Sequence, residues 1–264
     1  MPEPLQRIYK RKAMTHEKAS YVKLQGHRDA KEFALAIGLT EDYNNDLQAK
    51  KDVIDKSGDS YSVKSGEKKW QIFLYGKTRF ESDNTFKSMN GVGQLLLDCI
   101  ESFPENFEEY TQNKIIYKNK LQVPMLQLCE KLKEKYRIAA FIEKGMFNSG
   151  EVNYLAVKHQ NKFHVFWSKE ITKLLSDNFA VANSQARHSG QVANQKVVFK
   201  IDQTYGEIEM RNDSEIHYRE VKFWLSKKLI VPFLFVKIQK LKEYNEKVLI
   251  YGDAVKHFGH WGKT

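Results

Sequence analysis

The segment Lys51-Asp52-Val53-Ile54-Asp55-Lys56-Ser57-Gly58-Asp59-Ser60-Tyr61-Ser62-Val63-Lys64-Ser65-Gly66 leaves the chain few choices. A short apolar-alternating run that carries acids, a Lys-Ser-Gly-Asp turn and a second run that ends on a lysine predict a β-hairpin. Period-two alternation puts Asp52 and Ile54 on one face of the first strand, and Ser60, Ser62 and Lys64 on one face of the second. An acid and a lysine therefore converge. Asp55 points the other way, and Asp59 sits in the turn.

The chain of 264 residues is long enough to bury a real core, and 41% hydrophobic with 12% aromatic residues is a globular composition. The net charge of +10 suits a polyanion whose phosphates are met by scattered Lys and Arg. Cys99 and Cys129 lie inside apolar helical patterns, so neither a disulfide framework nor a zinc site is expected. The longest apolar run, Leu229 to Val236, is broken by Pro232 and too short to span a bilayer, and the first residues carry no secretory h-region. A soluble protein of the reducing cytoplasm is expected, with no membrane partner.

Along the chain, a helical pattern begins at Thr15 and resumes from His27 to Ile37, with Glu32 beside its apolar stripe and Gly38 at its end. After the hairpin, Glu67 to Tyr75 fits a helix or a third strand, and helical spacing would aim Gln71 and Tyr75 at the hairpin's acid and lysine. Thr85 to Phe103 reads as one amphipathic helix closed by Pro104, and 124–147 as one or two more. From Ser149-Gly150 the character changes. Two strands surround a His-Gln-Asn turn, a short helix starts at Ser168, and strands follow at Lys196–Ile201, Gly206–Arg211 and His217–Leu225. A basic amphipathic helix and the strand Val248–Tyr251 end the pattern. The expected organisation is α+β, with residues 1–148 holding the hairpin and 149–264 forming a β-rich platform.

Arg, Asn, Gln and His side chains that suit base edges cluster in that platform: Arg187, Gln191, Gln195, Arg211, Asn212, His217, Arg219 and Lys222. An acid next to a lysine is the equipment of a metal-dependent phosphodiesterase, the carboxylate for Mg²⁺ and the ammonium for phosphate charge. The helix with Glu32, then Asp52, a turn, and Ser62-Val63-Lys64-Ser65-Gly66 resembles the αβ nuclease core of the PD-(D/E)XK superfamily. More narrowly, the chain resembles small type II restriction endonucleases, in which a catalytic core precedes a β-rich DNA-recognition part. That resemblance implies a Mg²⁺-dependent, sequence-specific hydrolase of double-stranded DNA in the bacterial cytoplasm, leaving 5′-phosphate ends. It implies a monomer or homodimer, beside a DNA methyltransferase that shares the site without forming a stable complex.

Carried over, Asp52 matches the metal-binding aspartate and Lys64 the lysine. Ser62 stands where that family has a second acid, so Glu32, Asp55 or Glu67 would have to compensate, Glu32 being the expected auxiliary metal ligand. A literal Glu-x-Lys, Glu220-Val221-Lys222 after Asp213, is the second-ranked site. The competing class is a DNA-binding protein whose nuclease core has lost its chemistry. An RNA-processing nuclease is a third. No metal-binding histidine spacing, phosphate-binding glycine loop or Gly-x-Ser-x-Gly elbow is present.

Overall fold

The computed structural model describes residues 16–186, 191–211, 215–239 and 241–259, and it is a mixed α+β fold built on two sheets. The first sheet runs β1 (Asn44–Asp46), β2 (Lys51–Ile54), β3 (Ser60–Lys64), β5 (Tyr154–His159), β6 (Lys162–Trp167), β12 (Val248–Tyr251) and β11 (Leu241–Asn245) in spatial order. The second, wholly antiparallel, runs β4 (Lys69–Tyr75), β10 (Val221–Ser226), β9 (Thr204–Met210), β8 (Lys196–Lys200) and β7 (Ala180–Asn183). The helices are α1 (His16–Ala36), α2 (Lys77–Ser82), α3 (Asn84–Ser88), α4 (Val92–Glu101), α5 (Phe107–Gln112), α6 (Lys114–Leu132), α7 (Lys135–Phe147), α8 (Ser168–Asn178), α9 (Lys227–Lys237) and α10 (Ala254–His257). No helix among the described residues is long and apolar enough to cross a membrane.

The hairpin forms as expected, with Val53 opposite Tyr61 and Ile54 opposite Ser60. Asp55 closes its turn. The buried carboxylate accepts from Ser57 N (2.8 Å), Ser57 Oγ (2.6 Å), Asp59 N (3.1 Å) and Tyr61 Oη (2.7 Å), which occupies it structurally. On the other strand edge β3 runs parallel to β5, Tyr61 level with Tyr154 and Lys64 with Val157. Ala30, Phe33 and Ala34 recur at helical spacing along α1 and, with Ile37 just past its end, bury against Val53, Tyr61, Tyr154 and Ala156. The Phe33 and Tyr61 rings meet edge to face at 5.2 Å, and Tyr61 stacks on Tyr154 at 4.9 Å. Leu155, Val157 and Phe166 turn the other way into the larger core, with Phe141 of α7 and Phe199 and Phe223 of the second sheet. The middle strands β3, β5 and β6 are therefore buried on both faces, while the edge strands β1 and β11 are exposed.

Three expectations change. Residues 69–75 are a strand, and β4 leaves the first sheet to pair with β10, so Gln71 and Tyr75 do not share a helical face. The helix expected over Thr85–Phe103 breaks at Asn90-Gly91, both at positive φ (49° and 87°), because the chain turns there and Gly93 packs against the Phe86 carbonyl. Both sheets also draw strands from either side of residue 149: β3 pairs with β5, and β4 with β10. The expected boundary between 148 and 149 therefore does not follow the sheets. Cys99 and Cys129 are free and buried.

Candidate active site

The β2–β3 ladder opens just past Val53, and Asp52 fills the gap. Asp52 Oδ2 accepts from Val63 N (2.7 Å) and Ser62 Oγ (3.3 Å), and Lys64 Nζ lies 3.9 Å from the same oxygen. Alternation along the hairpin thus brings Asp52, Ser62 and Lys64 together as the sequence predicts. Asp52 and Lys64 keep about a quarter of their side-chain surface in solvent (24% and 26%), enough to meet a ligand, whereas Ser62 is buried. They line a cleft of about 440 Å³ to which five consecutive elements contribute: His27 from α1, Asn45 from β1, Asp52, Lys64 and Gln71 from β4.

Glu32 does not line that cleft. Lys158 Nζ, on β5, donates to Glu32 Oε2 (2.6 Å) and to Asp29 Oδ1 (2.7 Å), so the glutamate expected as auxiliary ligand is held by a lysine that the sequence places 126 residues away. Burial works against the Asp29 charge, but hydrogen bonds from Lys158, Ser65 and Gln25 outweigh it and hold the carboxyl below the usual range. Lys227 Nζ donates to the Ser65 and Lys158 carbonyls. The residue after Lys64 is thereby clamped from two sides. Glu67 is exposed in the turn beyond.

A second lysine stands beside the pair. Lys50 has φ +61° and sends its ammonium group inward to the Ile72 carbonyl (2.9 Å) and the Gly145 carbonyl. Burial, with Lys64, Lys144 and Arg79 nearby, pushes its pKa down to about 7, against an opposing pull from Asp52. Sequence reasoning missed Lys50, His27 and Asn45. Only the position of Lys50, two residues before Asp52, hinted at any of them.

Among the described residues, no group of three His, Cys, Asp or Glu side chains is placed to hold a metal ion. The donors at the cleft are one carboxylate, the Asn45 and Gln71 amides and His27. That set fits Mg²⁺ of the loosely held kind, which keeps several waters and is bound through one or two carboxylates and the substrate phosphate. It does not fit a closed structural zinc site.

No protein-family model matches the chain, and no curated protein matches it.

The second-ranked site is differently engaged. His217 Nδ1 is 2.6 Å from Glu220 Oε2, Lys222 is 3.9 Å from Glu209, and Val221 between them is core. Asp213 lies outside the described residues, as do Arg187 and Asn212. The other expected base readers divide into two groups. Arg219 binds Glu101 (3.1 Å) and Glu105 (3.4 Å), and the Arg211 amide donates to the Glu220 carbonyl (2.9 Å), which ties the start of β10 to α4 and to the end of β9. Gln195 donates to the Lys118 carbonyl (2.8 Å) and so anchors its loop to α6 rather than facing a ligand, while Gln191 is exposed on a groove of the second sheet.

Proposed function

We propose that the protein is a Mg²⁺-dependent phosphodiesterase acting on double-stranded DNA, of the type II restriction endonuclease kind. The observation that carries this is the pairing of Asp52 with Lys64 at 3.9 Å, partly exposed in a cleft fed by α1 and β1 to β4. When bound, Mg²⁺ supplies positive charge at the phosphate and lowers the pKa of a water. Asp52 would hold the ion. Lys64 stabilises charge on the phosphate oxygens and orients the attacking water, while the next residue, Ser65, is hydrogen-bonded through its carbonyl to Lys227 and through its side chain to Asp29. Asn45 and Gln71 offer amides to a phosphate or sugar.

A second reading has its own support. Ser62 is neutral and Glu32 is taken by Lys158, so a DNA-binding protein that has lost the chemistry would keep the same fold. Incubation with phage DNA separates the two. Discrete fragments with Mg²⁺, absent with EDTA and absent for Lys64→Ala, are expected of the enzyme. Retardation without cutting, or a Lys64→Ala variant that cuts at the wild-type rate, would overturn the assignment. Comparing Asp52→Asn with Glu220→Gln decides between the two candidate sites.

A further inference from the structure

The second sheet buries one face, through Val197, Phe199, Ile208, Phe223 and Leu225, and turns the other outward. Across the outer face, Lys196 is level with Glu209 and Glu209 with Lys222, and the next row sets Glu207 against Trp224 and Trp224 against Gln71. A groove of about 800 Å³ opens over this face, and lysines dominate its walls: Lys69, Lys118, Lys196 and Lys200 against the single acid Glu207. Lys196 is compensated, since Glu209 and Glu207 outweigh the burial that works against its charge. Among the described residues Lys118 and Lys200 form no ion pair, and Lys69 lies over the Trp224 ring, 3.3 Å from its centroid. Exposed Gln185 and Gln191 stand at the rim, with amides suited to base edges.

β4 connects this groove to the candidate active site. Lys69, in the groove, and Gln71, in the Asp52 cleft, are two residues apart in an unbroken stretch of the β4–β10 register, so they share a face and stand about 7 Å apart. Two nucleotide steps of duplex DNA advance by about the same distance. We propose that the outer groove of the second sheet seats double-stranded DNA, with Lys69, Lys118 and Lys200 on its phosphates, and that β4 leads the gripped strand to Asp52 and Lys64. The choice of DNA over another polyanion rests on the nuclease reading; the groove itself does not.

The test reads binding without cleavage. Anisotropy of a labelled random-sequence duplex is followed with the wild-type chain in EDTA, between about 50 and 200 mM salt, where each phosphate contact contributes about 0.9 to the log–log slope. Lys69→Ala, Lys118→Ala and Lys200→Ala should each reduce the slope by about 1 and the triple variant by about 3. The triple Lys→Arg variant should restore it. An unchanged slope in a triple Ala variant that melts like the parent would overturn the groove, and equal competition by an RNA duplex or by polyglutamate would overturn DNA as its occupant. If the slope falls as stated but no metal elicits cutting, the nuclease reading fails and the groove stands. If Lys64-dependent cutting is found with an unchanged slope, the groove alone fails.

Discussion

Glu32 and Lys158 meet at 2.6 Å, and the same ammonium group reaches the buried Asp29 at 2.7 Å. This lysine serves two carboxylates of α1 while the clamp around Ser65 depends on its backbone. Removing it strands Asp29, only 2% exposed, without its cation. Lys158→Ala should therefore cost about 3 kcal/mol in urea unfolding, as for loss of one partner of a buried pair. Glu32→Gln touches a half-exposed carboxylate, so it should cost less than about 1 kcal/mol and change any cleavage rate by less than about tenfold. Abolished cleavage in Glu32→Gln with full stability would return Glu32 to the metal site.

Ser62 occupies the position where a second acid would stand, opposite Asp52 across the hairpin and buried. Ser62→Asp would put two carboxylates side by side, each raising the other's pKa in the absence of a cation. In EDTA the variant should be less stable by about 2 kcal/mol. Mn²⁺ or Mg²⁺ should then raise its melting temperature well above any rise in the wild-type chain, where a single carboxylate would bind the ion only on the order of 1 mM or more weakly. A thermal-melt series with and without metal checks this. Equal metal responses in the two proteins would place the ion elsewhere.

Gly93 marks a contact that periodicity could not foretell. A Cβ at this position would stand 2.2 Å from the Phe86 carbonyl oxygen and 2.6 Å from its carbon, both backbone atoms of the preceding short helix. Because a backbone cannot swing aside as a side chain does, Gly93→Ala should destabilise by about 3 kcal/mol or more. Chemical denaturation with an unchanged m-value would record it. A neutral Gly93→Ala would mean that α3 and α4 do not pack this way.

What the sequence makes legible follows the range of the interaction that decides it. The β2–β3 hairpin and the β5–β6 hairpin, whose Gln160-Asn161 turn takes φ +49° and +61°, are set by neighbours in the chain and were readable from alternation and turn residues. The convergence of Asp52, Ser62 and Lys64 is a consequence of that same short register. By contrast, β4 finds its partner β10 some 150 residues later, and its apolar residues fit helix and strand spacing alike. The capture of Glu32 by Lys158 and the inward turn of Lys50 depend on the sheet being assembled first. No local pattern encodes them.

His164, on β6, supplies a pH test that is independent of catalysis. The ring is 7% exposed, its Nδ1 is 2.9 Å from Tyr251 Oη, and its Nε2 is 3.3 Å from the His159 carbonyl. Burial, with His159, Lys162 and Lys227 adding to it, pushes its pKa down to about 4 against the hydrogen bond to the His159 carbonyl. The unfolded chain takes up this proton near pH 6.5, the folded chain only near 4, so between those values the unfolded state binds more protons and stability rises with pH. The contribution is complete above about pH 6.5 and disappears as the pH falls toward 4, a loss of about 3 kcal/mol over the window. Carboxylates such as Asp29, held below their usual range, act mainly under it. Urea midpoints measured across this window should decline in the wild-type chain and decline less in His164→Gln, which keeps a polar side chain for Tyr251 without a titrating ring. Parallel slopes for the two proteins would mean that His164 is solvated and ionises normally.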